Sequence, residues 1–272
     1  MNGTAWTGGV ITPRATCVLA PNAGPMTLEG TNTWILLEPG SQHAVVVDPG
    51  PDDLDHLAAV RQAVHDAGAV VSLTLLTHGH ADHAAGARTF ADVTGSAVRA
   101  RDPRQVLGGE GLVGGDVIEV GGMEIAVVAT PGHSSDSLSF LVVADSALLT
   151  GDTILGRGTT MVAHPDGRLV DYLTSLHALA RLIDESPIKV VLPGHGPIVS
   201  EPADAVAYYL RHRHERLDQV RRAVAQGAVS IDDVVSVVYA DVPPELWPAA
   251  ATSVAAQLDY LRDHGAARSP LR

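Results

Sequence analysis

The chain has little of several things. Cys17 is the only cysteine in 272 residues, which excludes an intramolecular disulfide and gives no expectation of a disulfide-linked partner. No apolar run approaches the ~20 residues that a bilayer-spanning helix needs. Met1 to Ile11 lack the basic start and apolar stretch of a secretory signal, so the expected location is a reducing cytoplasm, away from membranes. Positive charge is scarce as well. Eighteen Lys and Arg stand against 31 Asp and Glu, a formal charge of −13, and Lys189 is the only lysine. Such a chain is a poor global match for nucleic acid, which draws on basic surface and counterion release, although a local basic groove stays open. Aromatic residues make up 4% of the chain, so platforms for base stacking are few. Apolar residues are plentiful at 46%, enough for one large domain or for a large domain with a small appendage.

Strand and helix patterns alternate along the first two hundred residues. Apolar runs at Thr16–Ala20, Thr33–Leu37 and Ala44–Val47 predict strands. Leu54, Leu57, Val60 and Val64 recur at helical spacing and predict a helix over Asp53–Ala67. A buried strand is predicted at Val70–Leu76 and a short helix at Ala84–Val93. Strands at Val117–Val120 and Glu124–Ala129 flank Gly121-Gly122, a good hairpin turn. Further strands are predicted at Leu138–Val143, Ala147–Thr150 and Lys189–Leu192, with a helix at Leu169–Ile183. From Pro202 onward three helical segments follow, Ala203–Gln226, Ile231–Tyr239 and Ala249–His264, with no strong strand signal among them.

Five of the thirteen histidines sit in a pattern that ordinary surface roles do not explain. Thr77-His78-Gly79-His80-Ala81-Asp82-His83 follows directly on a predicted strand, and its three imidazoles and one carboxylate suit a divalent ion such as zinc. Thr130-Pro131-Gly132-His133, Gly151-Asp152 and Pro193-Gly194-His195-Gly196 each follow a later strand. Loops at strand ends are where a rigid sheet fixes the geometry of functional groups.

These motifs, with Val47-Asp48-Pro49-Gly50 before them, resemble those of the metallo-β-lactamase superfamily over about Thr16 to Val199. The resemblance implies an α/β fold, a four-layer αβ/βα sandwich, over residues 1–200. Residues 201–272 then form a small helical, winged-helix-like module. It implies that His78, His80 and His133 hold one ion, that Asp82, His83 and His195 hold a second, and that Asp152 bridges the two. Asp48 would buttress the ligand loop from behind. Two zinc ions are expected, and iron or manganese fit the same donors. Two divalent ions with Asp82, Asp152 and a bridging hydroxide carry a net charge of about plus one, which suits an anionic substrate. The hydroxide would attack a carbonyl carbon or a phosphorus, with Asp82 as the catalytic group that orients it and moves its proton.

Finer matches narrow the branch. Gly30-Thr31-Asn32-Thr33-Trp34, Gly151-Asp152-Thr153-Ile154-Leu155-Gly156, Gly158-Thr159-Thr160 and Tyr208-Tyr209-Leu210-Arg211-His212-Arg213 are similar to the beta-lactamase-like protein 2 group. That likeness spans nearly the whole chain and implies an endoribonuclease acting on single-stranded RNA, with Asn32, Thr159 and Arg213 as substrate contacts. Arg213 also stands out on its own. It interrupts the apolar stripe Val206, Leu210, Leu217, Val220 and Val224, and a buried charge needs a partner. A salt bridge between main body and tail is one reading, and a grip on a substrate phosphate or carboxylate is the other. Arg211, Arg216, Arg221 and Arg222 alternate with Glu215 and Asp218, the pattern of a solvated face.

Three other functions share these motifs. A thioester hydrolase of the hydroxyacylglutathione hydrolase type has the same ligand set but usually two glycines where Ala85-Gly86 stands here, and no glutathione-gripping basic tail is found. A true β-lactamase needs export and usually lacks an aspartate at the Asp82 position. A non-enzymatic metal-binding protein is disfavoured by the intact ligand set. His43, His56, His65, His177, His214 and His264 are expected at the surface, and His164 in a plain loop.

Overall fold

A computed structural model describes residues 5–264, which divide into two compact units. The first comprises residues 5–129, 136–158 and 186–202, and the second residues 130–135, 159–185 and 203–264. The last crossing between them falls after Pro202. The second unit also takes in 159–185, a stretch that the sequence reading groups with the first two hundred residues.

The first unit is built on two sheets. One contains β1 (Gly9–Val10), β2 (Ala15–Leu19), β3 (Asn32–Leu37), β4 (His43–Val47), β5 (Val70–Leu75) and β6 (Ala97–Arg99), in that order. β4, β5 and β6 run parallel, and helices α1 (Leu54–Asp66), α2 (Ala81–Ala84) and α3 (Ala87–Thr94) fall in the crossovers between them. The other sheet contains β7 (Val117–Val120), β8 (Met123–Ala129), β9 (Leu138–Val142) and β10 (Ala147–Gly151), antiparallel to one another. β11 (Val190–Pro193) lies parallel to β10 and completes that sheet. The Gly121-Gly122 turn joins β7 to β8 as predicted. The two-residue β1 and the three-residue β6 are too short to carry a periodic signal and were not predicted.

Alternation along the strands sorts the core into layers. On β4 and β5, Val45, Val47, Leu73 and Leu75 pack with Ile125, Val127, Phe140 and Leu149 of the other sheet. The opposite face, Ala44, Val46 and Val71, packs with Leu57, Val60 and Val64 of α1 and Phe90 of α3. Beyond their exposed first residues both faces of these strands are covered, which is why they read as largely apolar runs, with Ser72 and Thr74 the exceptions on β5. The strand ends that carry the histidine and aspartate motifs therefore project from a fully packed base.

The second unit contains α4 (Leu169–Glu185), α5 (Pro202–Ala225), α6 (Ile231–Val238) and α7 (Trp247–His264). Ser230 and Asp233 form a reciprocal capping box at the start of α6. Val220 and Ala223 of α5 pack with Val234, Val235 and Val238 of α6 and with Ala250 and Val254 of α7. Among the described residues no helix is long and apolar enough to cross a membrane.

Candidate metal centre

Asp48 follows the last residue of β4 and is buried, with a φ of 52°, a left-handed conformation that Asp tolerates better than most residues. Its Oδ1 accepts from the Thr77 backbone N–H at 2.7 Å, and its Oδ2 from the Thr77 hydroxyl at 2.6 Å. Nδ1 of His83 lies 2.8 Å from the same Oδ2 and donates to it. Thr33 Oγ1 donates to the Asp48 carbonyl at 2.7 Å and in turn lies 2.9 Å from His56 Nε2. His56 is thus not the surface residue expected from the sequence: it is buried, and burial lowers its pKa. Its place one turn before Val60, on the apolar stripe of α1, was the available signal.

These outer contacts decide which ring nitrogens face inward. The one proton of the Thr77 hydroxyl goes to Asp48, so His78 Nδ1, 3.0 Å from Thr77 Oγ1, must itself donate there. His78 Nε2 is then an acceptor, 3.0 Å from His80 Nδ1. His83 Nε2, with its other nitrogen on Asp48, faces His195 Nε2 at 3.2 Å and Asp152 Oδ1 at 3.4 Å. His195 Nδ1 donates to the Gly30 carbonyl at 3.2 Å, and its Nε2 lies 3.1 Å from Asp82 Oδ2. The donors of His78, His83 and Asp152 lie within 4.8 Å of one another, as do those of Asp82, His83 and His195.

With their Nδ1 protons committed to Asp48 and to the Gly30 carbonyl, the Nε2 atoms of His83 and His195 face each other unprotonated at 3.2 Å, and a proton or a divalent cation between them relieves the repulsion. The charges lean the same way. Burial opposes a cationic His83, but Asp152 and Asp48 outweigh it and raise its pKa well above the usual histidine value. Burial likewise opposes charge on His195, yet Asp152 and Asp82 lift it to about 9. Asp152 is mostly buried, which opposes its charge, and His195 and His83 nevertheless hold its carboxyl well below the usual range. A cluster of nitrogen and carboxylate donors in which His78, His83 and His195 are each steadied from behind fits a divalent ion such as zinc. The backbone is shaped to the same end: a Cβ on Gly194 would sit 2.6 Å from Asp152 Oδ1 and 2.7 Å from His83 Cε1, so only glycine leaves the donors room.

The Gly30 to Trp34 motif proves to be the scaffold of the His195 loop. Asn32 Nδ2 donates to the carbonyls of Pro193 and Gly196, both at 2.9 Å, and its Oδ1 accepts from Trp6 Nε1 at 2.7 Å. Trp34 Nε1 donates to the Pro193 carbonyl at 3.1 Å. Asn32 is fully buried and its amide is committed on both sides, so the implied substrate contact is corrected to a structural one.

In the second unit His133 is buried, and its Nδ1 donates to the Met161 carbonyl at 2.7 Å, with Thr160 Oγ1 at 3.2 Å. The sequence reading missed Thr160 and Met161 as supports; Thr159, its choice in that loop, is half-buried. Arg213 is 2% exposed. Its guanidinium donates to the Thr160 carbonyl and lies over the Tyr172 ring, 4.9 Å from the centroid. Among the described residues it has no carboxylate partner, which overturns the salt-bridge reading. His164 pairs with Asp259 of α7 at 2.7 Å.

Comparison with known proteins agrees with this geometry. The sequence profile of the Metallo-beta-lactamase superfamily matches residues 26–195, and that of the beta-lactamase associated winged helix domain matches residues 230–269. A Beta-lactamase-like protein 2 homolog of Drosophila melanogaster is 31% identical, over 92% of this chain and 88% of the relative. An atrochrysone carboxyl ACP thioesterase of Aspergillus fumigatus is also 31% identical, over 87% of this chain and 77% of the relative. A metallo-beta-lactamase family protein of Thermus thermophilus superimposes with a TM-score of 0.79 at 20% identity, covering 93% of this chain and 95% of the other. The fold is accordingly the metallo-β-lactamase fold, with a winged helix at the C-terminal end.

Proposed function

The chain belongs to the metallo-beta-lactamase superfamily of metal-dependent hydrolases, and from that premise we propose that it uses two zinc ions to cleave phosphodiester bonds of single-stranded RNA in the cytoplasm. One observation carries the chemistry: Asp48 and Thr77 occupy the outer nitrogens of His83 and His78, which turns the inner nitrogens toward a shared centre. His78, His80 and His133 would hold one ion, Asp82, His83 and His195 the other, with Asp152 serving both. Iron or manganese in place of zinc would use the same residues. In this reading residues 1–200 carry the chemistry and residues 201–272 are an appended module.

Divalent ions held there would supply Lewis-acid chemistry, lowering the pKa of water to ~7 and stabilising negative charge on a substrate oxygen. The remaining work falls to side chains. Asp82 is the ligand carboxylate with most solvent access, its side chain 31% exposed against 11% for Asp152. It can therefore take the proton of the attacking water and release it to the leaving group. Asp48 keeps His83 in one tautomer, and the Gly30 carbonyl does so for His195.

The RNA reading rests on the resemblance to the beta-lactamase-like protein 2 group, which the similarity to that homologue over about nine-tenths of the chain and the winged-helix match support. The relative named as an ACP thioesterase supports a second reading, hydrolysis of a thioester, and the formal charge of −13 favours it over a polyanion. A side-by-side assay on single-stranded RNA, S-lactoylglutathione, an acyl-carrier-protein thioester and a chromogenic cephalosporin separates them. RNA cleavage that disappears in Asp82→Ala is the expected result. Hydrolysis of a thioester alone would overturn the RNA reading. Metal analysis of protein purified without chelators, returning less than one transition-metal ion per chain, would overturn the hydrolytic site itself.

A further inference from the structure

Arg213 is a charged group in an expensive place. A guanidinium that is 2% exposed, with no carboxylate beside it among the described residues, gives up hydration for one hydrogen bond and one aromatic contact, and its Nε has no hydrogen-bond partner among them. A leucine or methionine would continue the stripe on α5 at no such cost. Its two contacts are with the two pieces of structure that enclose the His133 loop. One is the Thr160 carbonyl, in the segment whose Thr160 Oγ1 and Met161 carbonyl meet His133 Nδ1 at 3.2 and 2.7 Å. The other is the ring of Tyr172 on α4.

The fit around that loop is close. A Cβ on Gly132 would come within 2.2 Å of the Tyr172 Cα, so the backbone before His133 runs directly against α4. The Ala163 N–H donates to the His133 carbonyl at 2.9 Å, and Ser175 Oγ of α4 donates to the Pro131 carbonyl at 2.6 Å. The loop is thus held from the 160–163 segment on one side and from α4 on the other, and Arg213 touches both. A carbonyl can only accept, so the Met161 contact requires the proton on His133 Nδ1 and leaves Nε2 as the nitrogen His133 presents.

We infer that Arg213 is a positioning residue for His133: by tying the Thr160 carbonyl to the Tyr172 ring it sets the Met161 carbonyl where it fixes the His133 tautomer. Arginine suits this task because its planar fork hydrogen-bonds in its plane while its face stacks on a ring, which a lysine does not do. The inference rests on the proposed ligand role of His133 and adds a residue that reaches no ion or substrate itself.

The test compares the wild-type chain with Arg213→Met and Arg213→Lys. Long-range nitrogen–proton NMR on the metal-free proteins reports the His133 tautomer, and stepwise cobalt titration reports the two ions separately. Expected are a mixed tautomer for His133 and an affinity about 10- to 100-fold weaker for one ion, the other changing little, in both variants. Arg213→Lys keeps the buried charge and serves alone if Arg213→Met does not fold. A His133 proton that stays on Nδ1, or equal weakening of both ions in step with a lower Tm, would overturn the inference. If the wild-type chain itself binds no metal, the proposed hydrolytic site fails, while the tautomer measurement still decides the role of Arg213.

Discussion

His83 and His133 carry the same side chain and are both buried, but the protein holds them by different means. His83 Nδ1 rests on a carboxylate, Asp48, which is itself gripped twice by Thr77. His133 Nδ1 rests on a neutral carbonyl, that of Met161, in a segment braced by Arg213. A carboxylate fixes the tautomer and also makes the imidazole more basic, whereas a carbonyl fixes the tautomer and leaves the basicity nearly alone. The first support is charged and anchored on strand ends; the second is neutral and depends on packing between loop and helix. The two ions of the proposed site would accordingly differ in how strongly each responds to charge and to packing.

The largest effect is expected at the group nearest the chemistry. Asp82→Ala should lower turnover by about 10²- to 10⁴-fold while the thermal melt of the metal-free chain shows the fold retained. Unchanged turnover would remove Asp82 from the mechanism and with it the meaning of the comparison. Next comes the charged support. Asp48→Asn keeps the shape but removes the charge behind His83, and calorimetric zinc titration should show about 10- to 100-fold weaker binding of one ion. An equal loss at both ions would mean that the supports are not separable.

A subtler expectation concerns pH. In metal-free protein His195 is raised from 6.5 to about 9, and His83 is raised as well, so their contribution is fully present below about pH 6.5 and is lost as pH climbs through about 9. Asp152 and Asp82 are lowered from 3.8, so their contribution is present above about pH 4 and fades as pH falls further. Urea midpoints measured with chelator present should therefore be higher near pH 6 than near pH 10. Zinc affinity should move the other way, since binding displaces those protons. A flat midpoint over that span would contradict the charged support. The smallest effect belongs to the outer edge of the neutral one. His164→Asn breaks a half-exposed pair with Asp259 and should change stability by less than ~1 kcal/mol in a urea melt.

Much of this was readable from residues alone. Strand ends, the histidine and aspartate motifs and the acid before them are short local patterns, and apolar runs covered on both faces are hard to mistake. Helices fell within a few residues of their predicted bounds, Leu54–Asp66 and Pro202–Ala225 among them. What escaped is non-local. His56 looked like a surface residue until α1 folded it against Thr33, and Asn32 looked like a substrate contact until its amide met carbonyls from Pro193 and Gly196. Thr160 and Met161 act through a hydroxyl and a carbonyl, groups with no motif to announce them.

The bonds from Asn32 to Pro193 and Gly196 span 161 and 164 positions of sequence. A nascent chain leaving a ribosome would hold Asn32 long before its partners emerge, so the His195 loop takes its shape only when most of the first unit is already synthesised. Closing so long a loop carries an entropic cost that must be met before the contact stabilises anything. Completion of the proposed ligand set is thus a late event in folding, and a chain arrested before residue 190 would display His78, His80 and His83 without the His195 loop.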